Sequence, residues 1–205
     1  MNTLDDVLGL DEFFVQQRFA LLVNLYRIST VGPDGRSEGA PLAYVRQKRM
    51  KIREEIEFFA DEGQTVPLMR LEARKVFEFR GRTEVQLPDG VVIGQLQKVF
   101  GASLLRSAWQ VLDAEGKVVA TARESSMVIA VLRRVWDLVP FVEYIPVRPP
   151  FHFDLFVGDR KVGRYTRLLA FRDRYVMDLS DDPERIVDRR VAMAFCIALD
   201  ALQDR

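Results

Sequence analysis

The sequence predicts a mainly β protein: a closed antiparallel barrel of about twelve strands around a buried, hydrophobic C-terminal α-helix. Three observations support this fold class. Turns that pair an acidic residue with glycine recur along the chain, alternating apolar and polar residues flank them, and one apolar run near the C-terminus has helical length. The 205 residues, 48% of them hydrophobic, suffice to bury a full core, and we expect residues 1–205 to form one domain.

The turns determine the expected number of strands. Glycine beside Asp or Glu is typical of hairpins, because glycine accepts the positive φ angle of a tight turn. The turn glycines are Gly35, Gly63, Gly90, Gly116 and Gly158, separated by 28, 27, 26 and 42 residues. Two strands for each hairpin, with an N-terminal strand near residues 13–26, give about a dozen strands. So many strands favour closure into a barrel, which removes exposed sheet edges.

Two segments have helical spacing. Between Ser125 and Leu138 apolar residues recur every three or four positions, and this helix accounts for the longest separation between turn glycines. The second helix is predicted to begin at residues 182–184, Asp-Pro-Glu, where an acidic N-cap precedes proline at the first helical position. In residues 191–202 the only charge is Asp200, so every side of the helix is apolar. A bilayer span needs roughly 20 apolar residues, so we expect the barrel itself to enclose this helix.

Charge and cysteine content exclude several functional classes. Thirty basic residues balance thirty acidic ones, so no net field attracts nucleic acid, and we predict no nucleic-acid partner. The only cysteine, Cys196, lies among apolar residues and cannot form an internal disulfide, which indicates a reduced compartment. The N-terminus lacks the features of a signal peptide, and no transmembrane span is predicted. We therefore expect a cytoplasmic location, with peripheral membrane association as an option.

No set of titratable residues predicts catalysis. The only histidine, His152, lies in a strand between two phenylalanines and is expected to point outward, while Cys196 is expected to be a small core residue. The glycine-containing turns join strand to strand, which is the wrong context for a nucleotide-binding loop. We therefore predict no enzyme activity, no catalytic residues and no cofactor.

One basic segment is a candidate binding site for an anionic head group. Its residues are Arg46, Lys48, Arg49, Lys51 and Arg53. In a strand, Arg46 and Lys48 share one face and the other three cations share the opposite face. Each cation near an anionic surface contributes about 1 kcal/mol to binding. The glutamates at positions 54, 55 and 57 favour the alternative, a neutralised face in contact with solvent.

One acidic segment is a weak candidate for calcium binding through Asp178, Asp181 and Asp182, since oxygen-rich loops hold this ion. Counted from Asp178, however, Pro183 stands where a calcium-binding loop of the common helix-loop-helix type needs glycine, and Arg189 stands where it needs glutamate. Helix capping by Asp182 is the favoured explanation of the acidic residues.

Several segments resemble the LURP-one-related and phospholipid scramblase group of the tubby C-terminal-like superfamily. They are AYVRQK (43–48), LDAEGKVV (112–119) and RDRYVMDLS (172–180), followed by the apolar helix, and the resemblance covers roughly residues 13–203. It implies a twelve-stranded closed barrel around a hydrophobic helix, in agreement with the pattern of turns.

The resemblance also implies two functions. Tubby domains bind phosphoinositides through basic residues, which implies a non-enzymatic cytoplasmic binding module for an anionic phospholipid head group or a protein partner. Scramblase relatives carry an acidic calcium segment before the last helix, matched here by residues 178–188, which implies a calcium-responsive, membrane-active protein as the alternative. The chain lacks the cysteine cluster and the proline-rich N-terminal region of the animal scramblases.

Overall fold

A computed structural model describes residues 4–19, 23–48, 55–73, 82–99, 108–125, 152–168 and 174–202. These residues contain two helices, α1 (Leu4–Leu8) and α2 (Arg189–Leu202). Their strands are β1 (Glu12–Phe19), β2 (Val23–Val31), β3 (Glu38–Lys48), β4 (Glu55–Phe59), β5 (Pro67–Ala73), β6 (Arg82–Gln86), β7 (Val92–Val99), β8 (Ala108–Leu112), β9 (Val118–Glu124), β10 (His152–Val157), β11 (Arg160–Leu168) and β12 (Arg174–Asp178). The helix predicted between Ser125 and Leu138 lies outside the described residues, except for Ser125 itself.

The strands form a closed barrel. Each strand pairs antiparallel with its neighbours along the chain, and β1 also pairs with β12, where Phe13 lies opposite Met177. The predicted closed antiparallel barrel of about twelve strands is therefore confirmed. The single N-terminal strand expected near residues 13–26 was wrong, because two strands, β1 and β2, occupy this part of the chain. The connection between them contains no glycine or proline, so the sequence gives no sign of a turn there.

Helix α2 fills the barrel, as predicted. Its residues 191–199 are all buried, and the ring of Phe195 packs edge-on against Trp109 with 6.2 Å between ring centroids. Gly94 on β7 permits close approach, because a Cβ atom at this position would lie 2.6 Å from a methyl carbon of Val191. Within the described residues no helix has both the length and the apolar character of a membrane span. The apolar run is thus buried against the inner wall of the barrel.

Helix α2 begins later than the sequence predicted. Its first residue is Arg189, and its cap is Asp188, whose Oδ1 accepts a hydrogen bond from the backbone N–H of Arg190 at 2.8 Å. The predicted start at Asp182 was therefore wrong.

Asp182 instead closes the turn that precedes the helix. Its carboxylate accepts hydrogen bonds from the backbone N–H groups of Ile186 at 3.1 Å and Val187 at 3.0 Å. Arg185 has a φ angle of 53°, a left-handed conformation that an α-helix does not contain. The residues 182–184 that resemble a helix cap therefore belong to a turn. The helix starts only after the left-handed residue Arg185.

The turns that contain acidic residues lie at one end of the barrel. Positive φ angles occur at the predicted turn glycines Gly35, Gly90, Gly116 and Gly158. The turn at residues 61–66 differs, because its left-handed residue is Gln64 rather than Gly63. The carboxylate of Asp61 stabilises this turn by accepting hydrogen bonds from the backbone N–H groups of Thr65 and Val66.

Candidate functional site

The structure describes two residues of the predicted basic segment, Arg46 and Lys48, and places both on the outer face of β3. They share one carboxylate on the neighbouring strand: Glu57 Oε2 lies 2.8 Å from Arg46 Nη2 and 3.3 Å from Lys48 Nζ. The guanidinium of Arg46 also lies 5.1 Å from the centre of the Phe59 ring. We call Arg46, Lys48 and Glu57 the β3–β4 cluster, and its formal charge is +1.

The remaining predicted cations, Arg49, Lys51 and Arg53, lie outside the described residues, so the structure does not test the face that they were expected to share. Register confirms that the β3 cations and Glu57 occupy the same outer surface, since Arg46 lies directly opposite Glu57. One of the three glutamates suspected of neutralising the basic segment therefore contacts it.

The predicted acidic residues are placed in different environments. Asp178 Oδ1 accepts a hydrogen bond from the backbone N–H of Ser180 at 2.8 Å, and the side chain of Asp181 is exposed. Asp182 is fully buried, and Arg189 Nη1 lies 2.7 Å from its Oδ2 atom. Among the residues that the structure describes, no group of three His, Cys, Asp or Glu side chains is placed to hold a metal ion.

Arg189 is the buried centre of a hydrogen-bonded cage at the start of α2. Only 1% of its side chain is exposed, although arginine is rarely buried without partners. Six oxygen atoms accept hydrogen bonds from its guanidinium: the carbonyl oxygens of Leu10, Leu179, Asp182 and Val187, and the carboxylates of Asp11 and Asp182. The cage joins the entry to β1, the exit from β12 and the first turn of α2.

The charge of Asp182 depends on this cage. Burial by itself raises the pKa of the carboxyl group, because it disfavours the charged form. The hydrogen bonds from Arg189 and from the backbone N–H groups of Val187 and Ile186 outweigh burial, and the pKa is lowered. Asp182 is therefore an ionised partner of Arg189, and both of its carboxylate oxygens accept hydrogen bonds from the protein itself.

A second polar cluster holds the other end of α2. Two tyrosine hydroxyls donate hydrogen bonds to Asp200, Tyr26 to its Oδ2 at 2.8 Å and Tyr175 to its Oδ1. Gln47 Oε1 accepts a hydrogen bond from Asn24 Nδ2 at 2.8 Å and lies 3.3 Å from the Tyr26 hydroxyl oxygen. Inward side chains of β2 and β12 thus bind the charged residue that interrupts the apolar helix, and Gln47 of β3 contacts one of them, Tyr26.

Cys196 and His152 lie where the sequence predicted. Cys196 is fully buried, and burial raises the pKa of its thiol far above the ordinary value, so it is an unreactive core residue. His152 is half-buried on the outer side of β10, while the adjacent Phe153 is fully buried. Burial lowers the pKa of His152, and the positive charge of Arg164 lowers it further against the opposing effect of Asp154.

A further charged cluster on the outer wall was not predicted from the sequence. On the outer wall, Asp154 Oδ1 lies 2.7 Å from Arg164 Nε and 2.9 Å from Lys161 Nζ. Arg123 lies opposite Asp154 on the other side, with its guanidinium 5.6 Å from the centre of the Phe156 ring. We call Arg123, Asp154, Lys161 and Arg164 the β9–β11 cluster. Its basic residues are dispersed along the sequence, so only the pairing of strands reveals it.

The fold and these clusters define a class of protein, a closed twelve-stranded barrel that encloses its C-terminal helix and presents charged clusters on its outer wall. The family model of LURP-one-related proteins matches residues 42–200, and the chain belongs to this family. Members have a tubby-like binding domain and are not a known enzyme family. No curated protein matches the chain. The family suggested by the sequence segments is therefore confirmed.

Proposed function

We propose that the chain is a non-enzymatic binding module that recognises anionic phospholipid head groups through the outer wall of its barrel. Its proposed location is the cytoplasm, at the periphery of a membrane. The observation that carries the proposal is the position of α2: the helix fills the interior, so a ligand finds its binding groups on the wall or at the ends. On the wall, cations outnumber carboxylates in both charged clusters.

The β3–β4 cluster supports this proposal in part. Its two cations face outward together and are each about one-third exposed, as head-group recognition requires. Glu57 reduces their charge, so any strong attraction needs the other predicted cations, Arg49, Lys51 and Arg53, to act with them. A protein partner with an acidic surface is the second ligand compatible with the same residues.

The calcium-responsive alternative has weaker support. Calcium requires several oxygen ligands, whereas the oxygens of Asp182 already accept hydrogen bonds from Arg189 and the backbone. Calcium binding there would need to displace a buried guanidinium. We therefore propose that membrane binding, where it occurs, does not depend on calcium.

Vesicle flotation tests the proposed function. Phosphatidylcholine vesicles with and without phosphatidylserine or phosphoinositides are mixed with the protein, in the presence and absence of calcium. We expect binding to the anionic vesicles alone, weakened by salt because exposed charges are screened, and unchanged by calcium. Binding to no anionic vesicle would refute head-group recognition and leave a protein partner as the ligand.

A matched pair of variants tests the β3–β4 cluster. Arg46→Gln with Lys48→Gln removes two cations, and we expect anionic vesicle binding to weaken by roughly fivefold for each charge. Glu57→Gln removes the carboxylate that neutralises them and is expected to strengthen binding. If the double variant and Glu57→Gln both weaken vesicle binding, or both strengthen it, to the same extent, the cluster does not contact the membrane.

A further inference from the structure

The β9–β11 cluster contains a row of three charged residues on adjacent strands. Arg123, Asp154 and Arg164 form a row across three adjacent strands, because Asp154 lies opposite Arg123 on β9 and opposite Arg164 on β11. Residues directly opposite one another in a sheet point to the same side. The two arginines therefore flank one carboxylate on the outer wall.

A β-bulge adds Lys161 to this row. In a regular strand, residues 161 and 164 point to opposite faces, because their separation is odd. The register of β10 and β11 shifts between Leu155 and Phe156, so that Leu155 lies opposite Gly163 and Phe156 opposite Lys161. The bulge turns Lys161 to the outer face, where it contacts Asp154 at 2.9 Å.

Gly163 lies beside the bulge and permits the close approach of β12 to β11. A Cβ atom at this position would lie 2.4 Å from the carbonyl oxygen of Asp178 and 2.7 Å from a methyl carbon of Leu179. Real Cβ atoms do not approach other atoms so closely, so a larger residue would displace β11 from β12.

The cations of this cluster have donor groups that no described residue uses. Arg164 donates to Asp154 through Nε alone, and among the described residues neither of its Nη groups has a partner. Arg123 is exposed and makes no ion pair with any residue that the structure describes. The carboxylate of Asp154 is only 13% exposed, whereas the side chains of Lys161 and Arg164 are 37% and 48% exposed. The cations therefore cover the carboxylate and face outward.

Asp154 is more buried than Glu57 of the β3–β4 cluster. The side chain of Glu57 is 26% exposed, and the two cations beside it are exposed to a similar extent. The β9–β11 cluster also has a third cation, so its own formal charge is +2, and the carboxylate of Asp178 on β12 borders it opposite Arg164. A phosphomonoester carries nearly two negative charges at neutral pH, and its oxygens match the paired N–H groups of arginine.

We propose that Arg123, Lys161 and Arg164 form a binding site for a phosphomonoester group, with Asp154 positioning two of the cations. This inference rests on the proposed function, because it names the residues and the ligand chemistry of an anion-binding wall. The phosphomonoester belongs either to a lipid such as phosphatidic acid or to a soluble compound, and the same residues bind both.

The only histidine of the chain provides a local probe. His152 lies two residues from Asp154 on the same face of β10, opposite Thr166, and the groups whose charges affect it are Arg164 and Asp154. A bound multivalent anion compensates the charge of Arg164. We therefore expect pyrophosphate, used as the soluble probe, to raise the pKa of His152 measured by NMR titration. No change in that pKa at saturating pyrophosphate would place any bound anion elsewhere and overturn the site.

Binding measurements on variants test the residues. Arg123→Gln is the safest variant, because Arg123 makes no ion pair with a described residue, and we expect roughly fivefold weaker binding of pyrophosphate and of phosphatidic acid vesicles. Arg123→Gln with Arg164→Gln should weaken binding by about 25-fold on the same basis. The matched control, Arg18→Gln, removes an exposed cation of β1 that pairs with Glu62 outside both clusters, and it should change pyrophosphate binding by less than about twofold.

Comparing vesicles of different lipids with pyrophosphate distinguishes failure of the phosphomonoester site from failure of the proposed function. Equal binding to phosphatidylserine and phosphatidic acid vesicles, weakened by Arg46→Gln with Lys48→Gln but not by Arg123→Gln, would overturn the phosphomonoester site and leave head-group recognition intact. Binding to pyrophosphate and to phosphatidic acid vesicles, both weakened by Arg123→Gln, supports the site. Binding of pyrophosphate alone supports a soluble ligand at this site and refutes the membrane function. Binding to neither probe refutes the site and, if phosphatidylserine vesicles also fail, the proposed function.

Discussion

The two ends of α2 each carry a charge that the helix dipole disfavours, and the barrel compensates the two charges differently. Arg189 lies at the positive N-terminal end of the helix and Asp200 lies in the last turns, near the negative end. Arg189 is enclosed by six oxygens, most of them backbone carbonyls, whereas Asp200 accepts hydrogen bonds from tyrosine hydroxyls on the wall.

Because of this difference we expect the Arg189 end of α2 to tolerate substitution poorly, and we call it the fixed end. We expect the Asp200 end to tolerate substitution better, and we call it the adaptable end. The side chain of Arg189 is buried and donates to main-chain atoms of three segments, so no rearrangement of side chains can replace the guanidinium. Asp200 is half-buried, and the partners described above are side-chain hydroxyls rather than main-chain atoms. We therefore expect substitutions at the two ends to differ in cost, although each removes one charge from the same helix.

The largest expected effect is that of Arg189→Met. The substitution leaves buried Asp182 without its cation and several carbonyl oxygens without a donor, and we expect the free energy of unfolding to fall by about 3–5 kcal/mol. Urea denaturation followed by circular dichroism measures the change. Arg190→Met is the matched control, because Arg190 is partly exposed and pairs with Asp188 on the helix surface.

Arg189→Lys keeps the charge but not the planar fork of donors. It should recover only part of the lost stability, because one ammonium group cannot reach oxygens on all sides of the cage. Equal stability of the lysine variant and the native protein would show that charge alone holds this end.

A smaller effect is expected for Asp200→Ala. The variant removes the acceptor of two tyrosine hydroxyls, a loss of about 1.5–3 kcal/mol for hydrogen bonds to a charged group. Chemical denaturation again provides the measurement. Tyr26→Phe removes one of the two donors and should cost less than Asp200→Ala. If Asp200→Ala is as destabilising as Arg189→Met, the distinction between a fixed and an adaptable end is wrong.

The smallest expected effect is a dependence on pH at the Arg189 end. Asp182 has a pKa below its ordinary value of 3.8, so it contributes stability above that pH and loses the contribution as the pH falls through its lower folded pKa. Asp182→Asn lacks this titrating group. The stability difference between the native protein and the variant should therefore be largest at neutral pH and shrink in acid.

Acid titration of unfolding stability measures this difference, with Asp181→Asn as the control at an exposed neighbouring position. The control should follow the native protein over the whole range. A constant difference between the native protein and Asp182→Asn down to the lowest accessible pH would mean that the carboxylate of Asp182 is not stabilised by the cage.

The features that repeat along the sequence were predictable. Spaced glycines marked the hairpins, and the uncharged run ending before Asp200 predicted a helix that is buried on every side. The beginning of α2 was not predictable in the same way, since Asp182 and Asp188 both precede a segment that fits a capping pattern. Only the left-handed conformation of Arg185 separates the turn from the helix, and no local residue preference requires it.

The charged clusters of the outer wall were harder to predict than the fold. The β3–β4 cluster was foreseen because Arg46 and Lys48 lie close together in sequence and alternate regularly. The β9–β11 cluster depends on strand pairing and on a bulge, and neither is visible in a sequence read segment by segment. Arg189 was overlooked for a related reason: a charged residue at the edge of an apolar run is expected at the surface, and its buried partners come from distant parts of the chain.

Pairing of β1 with β12 has a consequence for how the protein is made. Glu12 and Asp178 are neighbours in the sheet but are separated by most of the chain, and α2 follows both. During translation, eleven strands can leave the ribosome while the first strand still lacks one partner and the inner wall has nothing to cover it. The nascent chain therefore exposes the unpaired edge of β1 and the uncovered inner wall until β12 and α2 emerge.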